Sequence, residues 1–293
     1  MWRIVRKLWN WQSNTVCPPS PPLMVLKLDP EGILILFPAD FLYATIGVHP
    51  CNTSIFTKSP SAPSEIISSL RQLAQSSSSK HAVAFGEIGL DYDRLFLSDK
   101  ETQLKYFALQ LDLAVEIDLP LFLHSRAAHQ DFVQLLKAKI DTGGLKKRGV
   151  VHSFTGTIDE MQELVSLGFD IGINGCSMKT EENIAVVRAV PLERIQIETD
   201  GPWCEIRPSH AATQYLKDYE GPEDREGGGS EGEGRGWKMV KKEKWREGLL
   251  VKGRNEPCFI GRVAWAVAGI KGVSVQELSE TAWGNTVRMF GLE

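Results

Sequence analysis

The chain has 293 residues, 42% hydrophobic and 24% charged, which supplies a core for one large domain or two small ones and excludes a disordered tail or a fibre. Thirty-three Lys and Arg against 37 Asp and Glu give a net charge of −4, so an anionic substrate must be held by a local patch or by metal rather than by a global positive field. No apolar run approaches the roughly 18 residues of a membrane span.

The first 28 residues contain no acid. In helical projection Arg3, Arg6, Lys7 and Asn10 share one side, with Trp2, Ile4, Val5, Leu8, Trp9 and Trp11 on the other. This resembles an organelle transit peptide or an interfacial helix. CPPSPP at 17–22 ends the pattern abruptly, so an unusual terminus stays open beside targeting. Residues 1–40 form an atypical N-terminal segment in which ILILF at 33–37 supplies one strand.

From Phe41 onward short β-branched or apolar runs alternate with amphipathic stretches, the pattern of βα units around a parallel sheet. The predicted strands lie in 43–50, 82–91, 119–126, 149–156, 170–177 and 195–202, with helices between them such as Lys100 to Ile117 and Ala128 to Ile140. Six units make up most of a TIM-like (β/α)8 barrel, and strands buried on both faces explain the continuously apolar runs. Residues 218–236 are Gly- and Glu-rich and predict a flexible surface insertion. WKMVKKEKWREG at 237–248 then carries five Lys or Arg against two Glu, with Trp237 and Trp245. Contact with a nucleic-acid strand and a solvated basic helix face are both open readings of it. The segment from Arg262 to Phe290 predicts two amphipathic helices with Ser274 and Glu277 as a capping box between them.

Cys17, Cys51, Cys176, Cys204 and Cys258 are odd in number and lack CxxC pairs. That argues against a disulfide framework and for a reducing compartment, cytoplasmic or nuclear, with mitochondrial targeting by the N-terminus as the alternative. Cys176, Cys204 and Cys258 have no neighbouring His arranged as a base, so packing is their expected role.

A polar, metal-capable side chain recurs where the apolar runs stop: His49, Glu87, His124, His152 and Asp200. In a parallel barrel this is the carboxyl end of the strands, where active sites assemble. A lone His after a strand is usually structural, but five such ends in six predicted units are not. Two imidazoles and two carboxylates suit a divalent ion, Zn, Mn or Mg, and a bridging Glu87 suits two ions about 3.5–4 Å apart. Asp200 is placed to ligate metal and to orient or deprotonate the attacking water. Arg126 and Arg94 suit phosphate oxygens, with an ion pair to Asp91 or Asp93 as the rival reading for Arg94. His49 fits the substrate cleft or a hydrogen-bonded turn before Pro50, and His129 a phosphate contact or a helix surface.

GVHP at 47–50, GEIGLDYDR at 86–94, LFLHSR at 121–126, VHSFTG at 151–156, IGINGCS at 171–177, IETDGPWC at 197–204 and RNEPC at 254–258 resemble, in order, the TatD family of metal-dependent deoxyribonucleases. The similarity is to its eukaryotic branch, which combines an ETD-x-PWC element, a Ser-His-Ala element like Ser209 to Ala211, and RNEPC. It covers residues 41–291 apart from the insertion. The resemblance implies a TIM-like barrel and hydrolysis of DNA phosphodiesters, commonly as a 3′–5′ exonuclease on single-stranded ends, with one or two divalent ions and no obligate protein partner. It carries metal binding onto Glu87, His124, His152 and Asp200. Family members begin with a strand bearing an HxH motif or a degenerate version of it. Residues 1–40 contain no His, so about two βα units are expected to be missing or replaced: either the chain is a truncated or misassembled product, or one metal subsite is weakened. Hydrolysis of another ester or amide, and a catalytically impaired remnant that only binds nucleic acid or protein, are the competing functions.

Overall fold

The computed structural model describes residues 43–75, 82–219 and 239–292. The expectations for the N-terminal segment, for Trp237 and for nearly all of the insertion therefore lie outside the described residues. The described strands are β1 (Ala44–Ile46), β2 (Ala82–Asp91), β3 (Leu121–Arg126), β4 (Gly149–Val151), β5 (Asp170–Ile173) and β6 (Ile195–Ile197). They form one sheet in the order β1-β2-β3-β4-β5-β6, and each adjacent pair is parallel. Strand order equal to chain order, without reversal, is the winding of a barrel wall rather than of a doubly wound sheet.

The crossovers are helical: α1 (Ile55–Lys58) and α2 (Pro63–Gln75) follow β1, α3 (Lys100–Ile117) follows β2, α4 (His129–Asp141) follows β3, α5 (Ile158–Ser166) follows β4 and α6 (Glu181–Ala189) follows β5. Leu121, Leu123, Val151, Ile171, Ile173 and Ile195 are fully buried, as expected of strands covered on both faces. Phe107 of α3 stacks on Phe132 of α4 with ring centroids 5.5 Å apart, joining neighbouring helices of the outer layer. Asp99 caps α3 by accepting from Thr102 N–H at 2.8 Å, and Thr157 with Glu160 forms a capping box on α5.

Two buried glutamines of α3 reach inward to the strand ends. Gln110 exchanges hydrogen bonds with the backbone of Val48, at 2.7 Å from the Val48 N–H and 3.1 Å to its carbonyl. Gln103 does the same with Asp91, at 2.7 and 2.9 Å. Each replaces solvent for backbone groups that would otherwise be buried unpaired, and together they fix the segments that carry His49 and Asp91.

After β6 the described elements are a 3₁₀ segment at Ala211–Leu216, then β7 (Met239–Val240) and β8 (Leu250–Val251), a separate two-stranded parallel sheet, and finally α7 (Ile260–Lys271) and α8 (Val275–Phe290). The described part of the basic Trp-bearing segment is thus strand and 3₁₀ turn, not a helix face. Trp245 is half exposed and donates from Nε1 to the Leu249 carbonyl. Ser274 caps α8 by accepting from Glu277 N–H at 3.0 Å. Among the described residues no single helix is long and apolar enough to cross a membrane.

Candidate metal-centred active site

β2 carries the central carboxylate. Its pairing with β3 shifts register between Gly86 and Ile88, leaving Glu87 unpaired in a bulge, a device that re-aims one side chain off the ladder. Gly86 makes the bulge possible: its φ is +151° and any Cβ there would collide with the Phe122 carbonyl. The Glu87 carboxylate therefore lies among imidazoles delivered by three other strand ends. Its Oε1 is 2.7 Å from His152 Nε2, 2.8 Å from His124 Nδ1 and 3.2 Å from His49 Nε2. His124 Nδ1 and His152 Nε2 are themselves 3.3 Å apart.

Burial alone would raise the Glu87 pKa, but hydrogen bonds from His124, His152 and His49 hold it well below the carboxylate range. Burial would lower that of His152, and the Glu198 and Glu87 carboxylates instead raise it well above the imidazole value. Around this centre stand further acids. Asp91 Oδ2 is 3.3 Å from His124 Nε2; burial would raise its pKa, but the His124 hydrogen bond and charge lower it. Glu198 Oε2 is 3.6 Å from His152 Nδ1, and its Oε1 accepts from Ser153 N–H and, at 3.3 Å, from Asn174 Nδ2. Asp200 is pushed up by burial, with the Glu198 charge adding and His152 opposing.

The donor set fits a divalent cation on two observations. Two nitrogens bound at tetrahedral angles with bonds of ~2.0–2.1 Å stand about 3.4 Å apart, and His124 Nδ1 and His152 Nε2 are 3.3 Å apart. The Glu87 Oε1 lies 2.8 and 2.7 Å from the same two nitrogens, so an anionic donor shares their focus, while Asp91 faces the other His124 nitrogen at 3.3 Å. His152 has the form of a metal-bound histidine steered by a carboxylate, with Glu198 facing Nδ1 and leaving Nε2 for the ion. His49 differs. Cys51 N–H donates to its Nδ1 at 3.1 Å, so a neutral His49 carries its proton on Nε2 and offers a donor, not a lone pair.

The backbone is strained where this chemistry sits. Ala127, Ser153, Asp200 and Cys204, which follow β3, β4 and β6, all have φ between 49° and 54°, a region costly for residues with a side chain and concentrated at functional sites. The Asp200 turn is held by Asn255 of the RNEPC element, which is buried. Asn255 Nδ2 donates to the Thr199 carbonyl at 2.6 Å and its N–H to the Pro202 carbonyl at 3.0 Å. Cys204 Sγ donates to Asp200 Oδ2 at 3.2 Å.

A cleft of about 760 Å³ is lined by Arg126, next but one to His124, and by His129, Phe154 and Asn183. Arg126 donates to the Ser153 carbonyl at 3.3 Å. Lys179 and Arg207 carry positive charge near His210, where they add to burial in lowering its pKa. The adjoining Cys204 thiol lowers the Cys176 thiol pKa against burial, and Lys179 and Arg126 assist. Arg94 takes the ion-pair option, 3.8 Å from Asp91 Oδ2, and His129 pairs with Glu163 at 2.8 Å while also lining the cleft. Glu87, His124, His152 and His49 thus converge as one cluster, with Asp200 at its edge. Asp91, Glu198, Asn255, Lys179 and Arg207 were not singled out from sequence as site residues. The two acids stand four and two residues from Glu87 and Asp200, the one local signal that pointed to them.

A family model described as TatD related DNase matches residues 36–291. Deoxyribonuclease Tat-D of Schizosaccharomyces pombe is 47% identical over 247 residues, covering 84% of this chain and 74% of that one. The 3′-5′ ssDNA/RNA exonuclease TatD of Erwinia amylovora is 32% identical over 260 residues, covering 87% and 80%. The crystal structure of an uncharacterized amidohydrolase from Saccharomyces cerevisiae superposes with a TM-score of 0.70 at 36% identity, covering 85% of this chain and 80% of that one. The fold is therefore the TIM-like barrel that the sequence motifs imply, and the chain belongs to the TatD-related DNase family.

Proposed function

We propose that the chain hydrolyses phosphodiester bonds of DNA at single-stranded ends, as a 3′–5′ exodeoxyribonuclease dependent on one or two divalent ions, Mg, Mn or Zn. The observation that carries the reading is the convergence of His49, His124 and His152 on one oxygen of Glu87. Glu87, His124, His152 and Asp200 hold the metal, with Asp91 and Glu198 orienting the two imidazoles. When bound, the ion supplies Lewis-acid polarisation of the phosphoryl group and offsets its developing charge. Asp200, raised by burial, accepts a proton from the attacking water at the end of the last wall strand. His49 Nε2–H, which faces Glu87 Oε1 at 3.2 Å without substrate, passes its hydrogen bond to a phosphate oxygen when substrate binds. Arg126, Lys179 and Arg207 supply the local positive charge that the net charge of −4 does not, with His129 farther along the same cleft. Trp203, 71% exposed beside the Asp200 turn, offers a face on which an unpaired base stacks.

The neighbour described as an amidohydrolase favours a second reading, hydrolysis of an amide or another ester by the same donor set. These cationic side chains and the exposed indole favour the nucleic acid. Cys51, Cys176 and Cys204 are free thiols, which supports a cytoplasmic or nuclear setting. The test is digestion of end-labelled single-stranded DNA with and without chelator, repeated with Glu87→Ala. We expect stepwise shortening from the 3′ end that needs a divalent ion and is lost in the variant. Chelator-insensitive digestion, or digestion by Glu87→Ala at the wild-type rate, would sink the proposal.

A further inference from the structure

Beside the Asp200 carboxylate lie two cysteines that the hydrolytic chemistry does not use. The Sγ atoms of Cys176 and Cys204 are 2.6 Å apart, inside van der Waals contact and approaching the roughly 2.05 Å of a sulfur–sulfur bond. The backbone builds this approach. Gly175 presses on the segment after β6 so closely that any Cβ there would collide with the Cys204 carbonyl oxygen and stand 3.0 Å from Ile206 N. On the other side Cys204 is held at φ 54°, and Cys176 N–H is fixed by Asn174 Oδ1 at 2.8 Å. A hollow of about 60 Å³ lined by Cys204, Met239 and Asn255 opens on the Cys204 side of the pair, room for a molecule the size of water or hydrogen peroxide and too small for a nucleotide. The third thiol near the site, Cys51, contrasts with them: it is buried and donates to Asp91 Oδ2 at 3.6 Å.

We propose that Cys176 and Cys204 are a redox modification site, a dithiol that a hydroperoxide closes to a disulfide and that switches off the adjacent hydrolytic centre. In the first step the Cys176 thiolate attacks one peroxide oxygen. The O–O bond breaks, hydroxide leaves and takes up a proton as water, and Cys176 becomes a sulfenic acid. The Cys204 sulfur then attacks the Cys176 sulfur, the S–O bond breaks, and a second water leaves with the Cys204 proton. The pair loses two electrons and the peroxide gains them. The site loses the donor to Asp200, because Cys204 S–H points at Asp200 Oδ2 across 3.2 Å and a disulfide has no proton to give. The chemical step stands apart from the nuclease reading, and only its effect on turnover rests on that reading.

The experiment uses the full chain with Mg2+, reduced and then treated with equimolar hydrogen peroxide, quenched with catalase, alkylated under denaturing conditions and mapped by mass. The expected product is one peptide pair joining Cys176 to Cys204, lighter than its parts by two hydrogens, with Cys51 still alkylated. Cleavage of single-stranded DNA should fall by about tenfold or more, the size typical for losing a group that positions a metal ligand. It should return with dithiothreitol, and Cys176→Ser should keep its rate through the same treatment. Full alkylation of both cysteines, or their over-oxidation without a cross-link, overturns the site. A cross-link with unchanged cleavage, or equal inhibition of Cys176→Ser, overturns the switch. A reduced protein that forms the cross-link but never cleaves DNA overturns the nuclease reading instead and leaves the dithiol site supported.

Discussion

Glu198 and Asp200 stand two residues apart after β6 and face different partners, His152 and Ser153 for the first and Cys204 for the second. That division predicts different losses. Asp200→Asn keeps the size but removes the proton acceptor, so single-turnover cleavage at saturating Mn2+ should fall ~10²–10⁴-fold while DNA affinity by anisotropy changes little. Near-normal cleavage would remove Asp200 from the mechanism. Glu198→Gln weakens the hold on His152 and should lower Mn2+ affinity roughly 10–100-fold, read by calorimetric titration; unchanged affinity would make Glu198 a packing residue. Glu87, His124 and His152 were legible because each stands where an apolar run stops. Glu198 was not, since ETD offers two acids and sequence alone does not say which way each turns at φ 52° on Asp200. Asp91 was hidden because the sequence does not show the bulge at Glu87, past which β2 runs on and brings a second acid to the other nitrogen of His124. The Cys176–Cys204 pair spans two strand ends, and only the fold brings them together.

At the scale of elements, the strands and the long helices follow from apolar runs and amphipathic spacing. The helix expected over Lys100 to Ile117 is α3, and the predicted strand over 82–91 is β2. The other strands are shorter than expected because the motifs at their carboxyl ends belong to loops. RNEPC shows why such a motif is opaque before folding: its Asn255 acts on the turn after β6, more than fifty residues earlier. Asn255→Ala should cost about 1–3 kcal/mol, the range for stranding a buried hydrogen-bonding group, and should reduce cleavage more than DNA binding. Arg254→Ala, next door but exposed and paired with Glu256 at 3.1 Å, should cost far less. Urea unfolding of both variants checks this, and equal midpoints would mean that Asn255 does not hold the Asp200 turn.

For the whole molecule, the proposed ligands arrive from β2, from β3 and from the segments after β4 and β6, so one ion would tie together much of the described wall. In the unfolded chain these groups are far apart, and an ion that binds only the folded form adds RT ln(1 + [M]/Kd), about 2.7 kcal/mol at a hundredfold excess over Kd. For a chain of this size a gain of that order raises the melting temperature by roughly 5–10 °C. Without the ion, Glu87, Asp91, Glu198 and Asp200 crowd one mouth, answered by three imidazoles and, at Asp91, by Arg94, so chelation should lower stability as well as activity. Thermal unfolding with EDTA and then across a Mn2+ series should show a midpoint that climbs with the logarithm of the metal concentration. Glu87→Gln, which leaves the side-chain volume but removes the charge on which the imidazoles converge, should flatten that climb. A midpoint indifferent to chelator, or a Glu87→Gln protein that gains as much from Mn2+ as the wild type, would show that the ion does not bind where the three histidines meet.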